Sequence, residues 1–142
     1  MRGLTFGAAL CLLLALGAAL PCAAADDADA ASQRTREVLL YGIDSEVLEI
    51  VQRLRTTKDS SFAGELAAVL SEQRGAELRR AILDLFTDTK APDGRDAASA
   101  ILREWEETPA DLLGAAARYL TAIEAEGRAA LIIPLLESPQ AA

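Results

Sequence analysis

The sequence predicts an all-α protein built of stacked antiparallel helix pairs, and three observations lead to this fold class. Apolar residues recur three and four positions apart along most of the chain, and no long run alternates apolar with polar residues as a half-buried strand would. Aromatic residues make up only 4% of the 142 residues, whereas sheets are enriched in aromatic and β-branched side chains. Equivalent apolar faces open at Val47, Leu78 and Leu112, 31 and 34 positions apart, a period typical of helical repeats.

The first 25 residues have the layout of a secretory signal peptide. Arg2 is followed by an apolar run from Leu4 to Leu20, and Ala23-x-Ala25 fits the small-x-small cleavage rule. We therefore expect export, with the periplasm as the destination. Two alternatives stay open: an uncleaved N-terminal helix that anchors the chain in the membrane, and lipidation of Cys22, for which the preceding proline is a poor match.

Composition restricts the chemistry of the exported part. Both cysteines, Cys11 and Cys22, lie within the segment expected to be removed, and the chain has no histidine. The usual nucleophile–base pairs and transition-metal sites therefore lack their ligands. The chain has 22 acidic and 14 basic residues and a net charge of −8. An acidic domain repels nucleic acid and anionic membrane surfaces, so we expect neither as a partner.

The remaining chain is expected to form a flexible acidic lead-in over residues 26–32 and one repeat domain over residues 33–142. Periodicity and breaker residues place its helices at about 33–41, 44–57, 61–73, 76–88, 94–107, 109–126 and 129–138.

The first two helices are expected to be separated at Gly42. This glycine suits the left-handed conformation that closes a helix, and Asp44 is a natural N-cap for the next one. The second helix has apolar residues at i, i+3, i+4 and i+7, namely Val47, Ile50, Val51 and Leu54.

The third and fourth helices are expected on either side of Gly75. Ser60 or Ser61 is the predicted N-cap of the third helix. The apolar faces of the two helices consist of Phe62, Leu66, Val69 and Leu70, then Leu78, Ile82, Leu85 and Phe86.

Proline residues mark the next two helix starts. Pro92 cannot continue the fourth helix, and Thr108-Pro109 is a typical start signal for the sixth, with threonine as the N-cap. The fifth helix then has Ala97, Ala98, Ile101, Leu102 and Trp105 on its apolar face, and the sixth has Leu112, Ala116, Tyr119, Leu120 and Ile123.

The last helix is expected in the apolar segment RAALIIPLLES, with Pro134 either in its first turn or at a kink. As the first helix of a repeat it would lack its partner. It would then pack as a lone cap, meet a binding partner, or be followed by further natural sequence beyond Ala142.

The segment LLGAAARYLTAI, from Leu112 to Ile123, resembles the second helix of a HEAT repeat of the short bacterial kind. Leu112 matches the valine of that pattern and Ala115-Ala116 match its alanine pair. Leu120 and Ile123 match its later apolar positions, while Leu113 stands where the pattern has an arginine. IIPLLESP is similar to the first helix of such a repeat. The resemblance implies a short right-handed α-solenoid of about three helix pairs plus a terminal helix. It also implies a concave surface for protein–protein contacts and no catalytic centre or cofactor.

We therefore expect a non-catalytic scaffold or binding module of the cell envelope, with a protein partner whose identity and stoichiometry the sequence does not specify. The candidate partner-binding residues are Trp105, Arg79, Arg80, Leu131, Ile132, Leu135 and Leu136. Two alternatives stay open: a carboxylate-dependent enzyme or metal-binding helical protein, for which Glu104, Glu106 and Glu107 are the clustered acids, and a membrane-tethered helical bundle. No catalytic or metal-binding residue is assigned.

Overall fold

The structure, a computed structural model, describes residues 22–137. Within that range the chain forms seven α-helices and a 3₁₀ turn and contains no strand, so the all-α prediction is confirmed. The helices are α1 Cys22–Tyr41, α2 Asp44–Thr57, α3 Ala63–Ser71, α4 Ala76–Thr89, α5 Arg95–Arg103, α6 Ala110–Ala122 and α7 Arg128–Leu136, with the 3₁₀ turn at Pro92–Gly94. Most of the expected signal peptide and the final residues 138–142 lie outside the described residues.

The chain divides into two compact units between Ser32 and Gln33. The second unit begins within α1 and contains α2 to α7. The helix α1 begins at Cys22 rather than at residue 33. Residues 26–32, expected as a flexible lead-in, are therefore helical. Four alanines lie in or next to this segment, and the high helix propensity of alanine favours that outcome.

Five other helices also have bounds that differ from those expected. The helix α4 ends at Thr89, one residue later than predicted. The helices α3, α5 and α6 are shorter than predicted, and α7 spans residues 128–136 rather than 129–138. The serine cap expected for α3 is wrong, because Phe62 occupies the N-cap position. The backbone N–H of Ser61 instead donates to Asp59 Oδ1 at 2.8 Å, which forms a turn before the helix.

The caps expected around α2 are also wrong. The N-cap is Ile43, and Asp44 is the first helical residue. Gly127 is the one described glycine with a positive φ, so Gly42 is not left-handed. A Cβ at Gly42 would lie 2.5 Å from the carbonyl oxygen of Val38. This position therefore favours glycine because the backbone passes very close to it.

The start of α6 differs from expectation as well. Pro109 is the N-cap of α6 and Thr108 lies outside the helix. The hydroxyl of Thr108 donates to the carbonyl of Glu104 at 2.8 Å, so it completes the turn after α5 rather than capping α6.

The core of the second unit is apolar and continuous through α2 to α6. The helix α4 packs against both α2 and α6, while α5 packs against α3, α6 and α7. Most residues of the predicted apolar faces are buried, while Ala97, Trp105 and Ile123 are only partly buried against the core. No described charged or polar residue belongs to the core. The predicted positions that are buried are Val47, Ile50, Val51, Leu54, Phe62, Leu66, Val69, Leu70, Leu78, Ile82, Leu85, Phe86, Ala98, Ile101, Leu102, Leu112, Ala116, Tyr119 and Leu120.

Candidate functional site

The helix α7 is the most exposed apolar element of the described chain. None of its residues is fully buried. Leu131, Ile132 and Leu135 are partly buried against the core, whereas Ile133 and Leu136 are 52% and 72% exposed. The structure therefore divides the predicted cluster into an inner side and an outer side. Ile133, which lies next to residues that the apolar pattern singled out, belongs to the outer side.

The position of α7 follows from its sequence and its contacts. Gly127 adopts a left-handed conformation with φ of 74° at the N-cap, which lets the chain turn back after α6. The helix then contacts α5 and α6. Pro134 lies inside the helix rather than in its first turn. Proline has no backbone N–H, so the carbonyl of Ala130 receives no helical hydrogen bond from it. We define the outer face of α7 as Ile133 and Leu136 with the helical surface between them.

Acidic side chains lie at both ends of this helix. Glu124 and Glu126 precede α7 in the turn after α6, and Glu137 follows its last residue. All three are exposed. Arg128 is the one basic residue between Glu124 and Glu137, and its Nη1 donates to the carbonyl of Ala125 at 3.2 Å. Exposed acidic residues therefore flank α7 along the chain on both sides, and we call Glu124, Glu126 and Glu137 the acidic rim.

Trp105 lies outside α5, in the turn that follows Arg103. Its side chain is half-buried and packs against the core. It lines a surface depression with Glu104 and Glu107, and the same two glutamates line a neighbouring groove of about 530 Å³. This tryptophan therefore contributes to packing and also has one exposed side.

Arg79 lies in that neighbouring groove, together with Arg74, Asp96 and Glu104. Its Nε is buried and has no hydrogen-bond partner among the described residues. Arg79 and Trp105 thus belong to neighbouring depressions that share Glu104 and Glu107.

Arg80 belongs to a different surface. It is exposed, and its Nη1 lies 3.7 Å from Asp111 Oδ2, which connects α4 to α6. Neighbouring ion pairs connect the same row of helices: Arg55 Nε to Asp88 Oδ2 at 2.7 Å, Arg55 Nη1 to Asp84 Oδ2 at 3.5 Å, and Arg118 Nη2 to Asp84 Oδ1 at 3.5 Å. The hydrogen bond to Asp88 raises the pKa of Arg55. Exposed pairs of this kind contribute little to stability. Arg80 therefore has a partner within the chain, Asp111, but the pair holds it only weakly.

A second apolar surface lies where α1 meets α2. Tyr41 and Ile43 are 84% and 65% exposed. The backbone beneath them is held by Arg74, whose Nη1 donates to the carbonyl of Gly42 at 2.8 Å and to Asp44 Oδ1 at 3.2 Å. The apolar pattern of the sequence did not single out this surface.

Asp44 connects the α1–α2 turn to the start of α4. Its Oδ2 accepts a hydrogen bond from the backbone N–H of Gly75 at 2.8 Å. That bond and the bond from Arg74 lower the pKa of Asp44. The residue that was expected to cap its own helix therefore accepts a hydrogen bond at the N-terminus of another one.

The clustered glutamates Glu104, Glu106 and Glu107 are exposed at the end of α5. Between residues 22 and 137, no group of three or more acidic, histidine or cysteine side chains is arranged to hold a metal ion. None of the helices in this range is long and apolar enough to cross a bilayer. Comparison with family models, curated proteins and solved structures found no significant match to the chain. Of the arrangements described here, the outer face of α7 with its acidic rim is the strongest candidate binding site.

Proposed function

We propose that this protein is a non-catalytic binding or scaffold module of the cell envelope, built of HEAT-like repeats in a short right-handed α-solenoid. The proposal rests mainly on the exposure of two large apolar side chains, Ile133 and Leu136, on the outer face of α7. The helix α7 is apolar from Ala129 to Leu136, and an apolar helix with one side left in water is stabilised when a partner covers that side. The exposed Ile133 and Leu136 provide apolar contact surface of the kind found at the centre of protein interfaces.

The packing of the helices supports the repeat architecture. The even-numbered helices α2, α4 and α6 contact one another in sequence, and α5 contacts both α3 and α7. Stacked helical hairpins place their first and second helices in two such rows, in which each unit buries its apolar face against its neighbours. In that architecture α7 is the first helix of a further repeat and leaves a surface for a partner.

Export is part of the proposal and depends on the amino-terminal sequence. Arg2, the apolar run to Leu20 and the Ala23-x-Ala25 site match a signal peptide that is removed before the protein acts. The binding surface would then be available in the periplasm.

The test is photo-crosslinking in the exporting cell. A photoreactive amino acid replaces Leu136 in one variant and Glu49, an exposed residue of α2, in a matched control. We expect a discrete crosslinked protein species for the Leu136 variant and none for the control. The intact mass of the same sample shows whether residues 1–25 are removed. Absence of any crosslink from position 136, or the same crosslinks from both positions, would contradict the proposed function.

A further inference from the structure

The apolar character of α7 on all sides limits the kind of surface that can cover it. From Ala129 to Leu136 the helix has no charged side chain and no side-chain hydrogen-bonding group. Its inner side contacts α5 and α6, and its outer face carries Ile133 and Leu136 three positions apart. A spacing of three residues forms a stripe along one side of a helix, which is the shape that a second amphipathic helix packs against.

The acidic rim adds a charge requirement. Glu124, Glu126 and Glu137 are exposed, and none of the three forms an ion pair with another described residue. Arg128 supplies the one opposite charge of the segment, and its guanidinium is directed to a backbone carbonyl. A partner that brings positive charge to both ends of the helix gains electrostatic complementarity that a neutral or acidic partner lacks.

The length of α7 sets the spacing of those charges. Nine helical residues span about 13 Å at 1.5 Å per residue. A helical partner that lies along α7 therefore needs basic residues about eight or nine positions apart, with an apolar stripe between them.

Charge also favours a basic helical partner over two other possible occupants of the outer face of α7. A second copy of the chain, with α7 against α7 in an antiparallel pair, would bring the two acidic rims together, and like charges at an interface are unfavourable. An anionic membrane would be repelled in the same way.

We infer that the outer face of α7, Ile133 and Leu136 with the rim of Glu124, Glu126 and Glu137, binds an amphipathic helical segment whose apolar stripe is flanked at both ends by lysine or arginine. This inference rests on the proposed function and names the class of its partner.

The test uses two synthetic amphipathic peptides of about 16 residues, long enough for several helical turns on a partner. They share one leucine and alanine stripe and differ only in having lysine or glutamate at both flanks. Binding to the full chain is measured by fluorescence anisotropy at low and at moderate salt. We expect the lysine-flanked peptide to bind at least about tenfold more tightly than the glutamate-flanked one, and expect this difference to shrink with added salt.

Variants of the chain separate the apolar contribution from the charge contribution. The double variant Ile133→Gln/Leu136→Gln should lose binding of both peptides, and the exposure of both side chains means that neither substitution disturbs the core. The triple variant Glu124→Gln/Glu126→Gln/Glu137→Gln should retain apolar binding and lose the preference for lysine. The matched controls, Tyr41→Gln for an exposed apolar residue and Glu106→Gln for an exposed acid, should behave like the wild type.

Four outcomes would overturn the inference. Equal affinity for the two peptides, or binding of neither, would exclude a basic amphipathic partner. In that case a crosslink from position 136 would still support the proposed function, so the two proposals fail separately. A concentration-dependent dimer that Leu136→Gln abolishes would show that a second copy occupies the face. Leu136-dependent binding to phosphatidylcholine vesicles would show that a lipid surface does.

Discussion

Gly94, in the connection between α4 and α5, lies tightly against two aromatic side chains of the core. It is buried in the 3₁₀ turn, and a Cβ at this position would lie 2.5 Å from Phe86 Cδ2 and 3.3 Å from the Tyr119 hydroxyl. Real Cβ contacts of 2.5 Å do not occur, so any side chain here requires the Phe86 ring or the turn to move.

We expect Gly94→Ala to lower the free energy of unfolding by about 1–3 kcal/mol, because the added methyl group overpacks the core. Urea unfolding followed by circular dichroism measures the change. Gly64→Ala is the matched control: it lies inside α3 and a Cβ there meets nothing within 4 Å. The control should raise stability by about 0.5–1 kcal/mol, since alanine is the better helix former. Equal effects of the two substitutions would contradict the close approach at Gly94.

Residue by residue, the sequence predicts burial better than it predicts caps. The spacing of Val47, Ile50, Val51 and Leu54 is a local pattern, and all four are buried. A cap depends on where the chain brings other groups. Asp44 was predicted to cap α2, yet its carboxylate accepts from Gly75, 31 residues away. No local pattern contains that contact, so the sequence could not show it.

Among the helical connections, the one from α4 to α5 is fastened by a side chain of α6. The hydroxyl of Tyr119 donates to the carbonyl of Ala91 at 2.7 Å, and its ring lies 5.9 Å from that of Phe86. Tyr119 has no exposed surface. Burial raises the pKa of Tyr119 to about 12, and the nearby charge of Asp93 acts in the same direction.

This pKa predicts loss of stability at alkaline pH. The ordinary pKa of tyrosine is about 10, so the folded protein favours the neutral phenol. The difference in pKa contributes about 2–3 kcal/mol to the free energy of unfolding. This contribution is complete below about pH 10 and is lost as the pH rises through about 12. Tyr119→Phe should cost about 1–2 kcal/mol at neutral pH, because the Ala91 carbonyl loses its donor. The variant should also lose the tyrosine part of the alkaline decrease.

The measurement is urea unfolding of the wild type and Tyr119→Phe at intervals between neutral pH and pH 12. Tyr41→Phe is the matched control, because Tyr41 is the other tyrosine of the chain and is 84% exposed. The control should follow the wild type throughout. Parallel stability curves for Tyr119→Phe and the wild type would contradict the role of the buried phenol.

At the candidate site, helical periodicity predicts that α7 is an apolar helix but not which of its side chains are exposed. The apolar run of α7 was recognised from the sequence. Which side chains point outward depends on how α7 lies against α5 and α6, so Leu136 is exposed while Leu131 and Leu135 are partly buried. Arg79 and Arg80 are adjacent in sequence, yet they belong to a groove and to an ion-pair row on different surfaces.

Across the whole second unit, the packing of α4 between α2 and α6 makes the middle of the structure the most strongly connected part. Ile82 on α4 is completely buried, whereas Leu131 on α7 is only partly buried against the same core. If each helix depends mainly on its neighbours, the slowest-exchanging backbone amides lie in α4, and those of α7 exchange by local opening.

Native-state hydrogen exchange of two variants tests this distribution of stability. Ile82→Ala should cost about 2–5 kcal/mol, because it leaves a cavity in the core, and should speed exchange in α2, α4 and α6 together. Leu131→Ala removes a smaller buried area and should speed exchange in α7 while leaving α2 and α4 almost unchanged. A uniform increase throughout the second unit in Leu131→Ala would show that α7 unfolds with the core. The helix α7 would then be an integral part of the fold rather than an element that opens by itself. A partner that covers its outer face would in that case stabilise the whole second unit and not α7 alone.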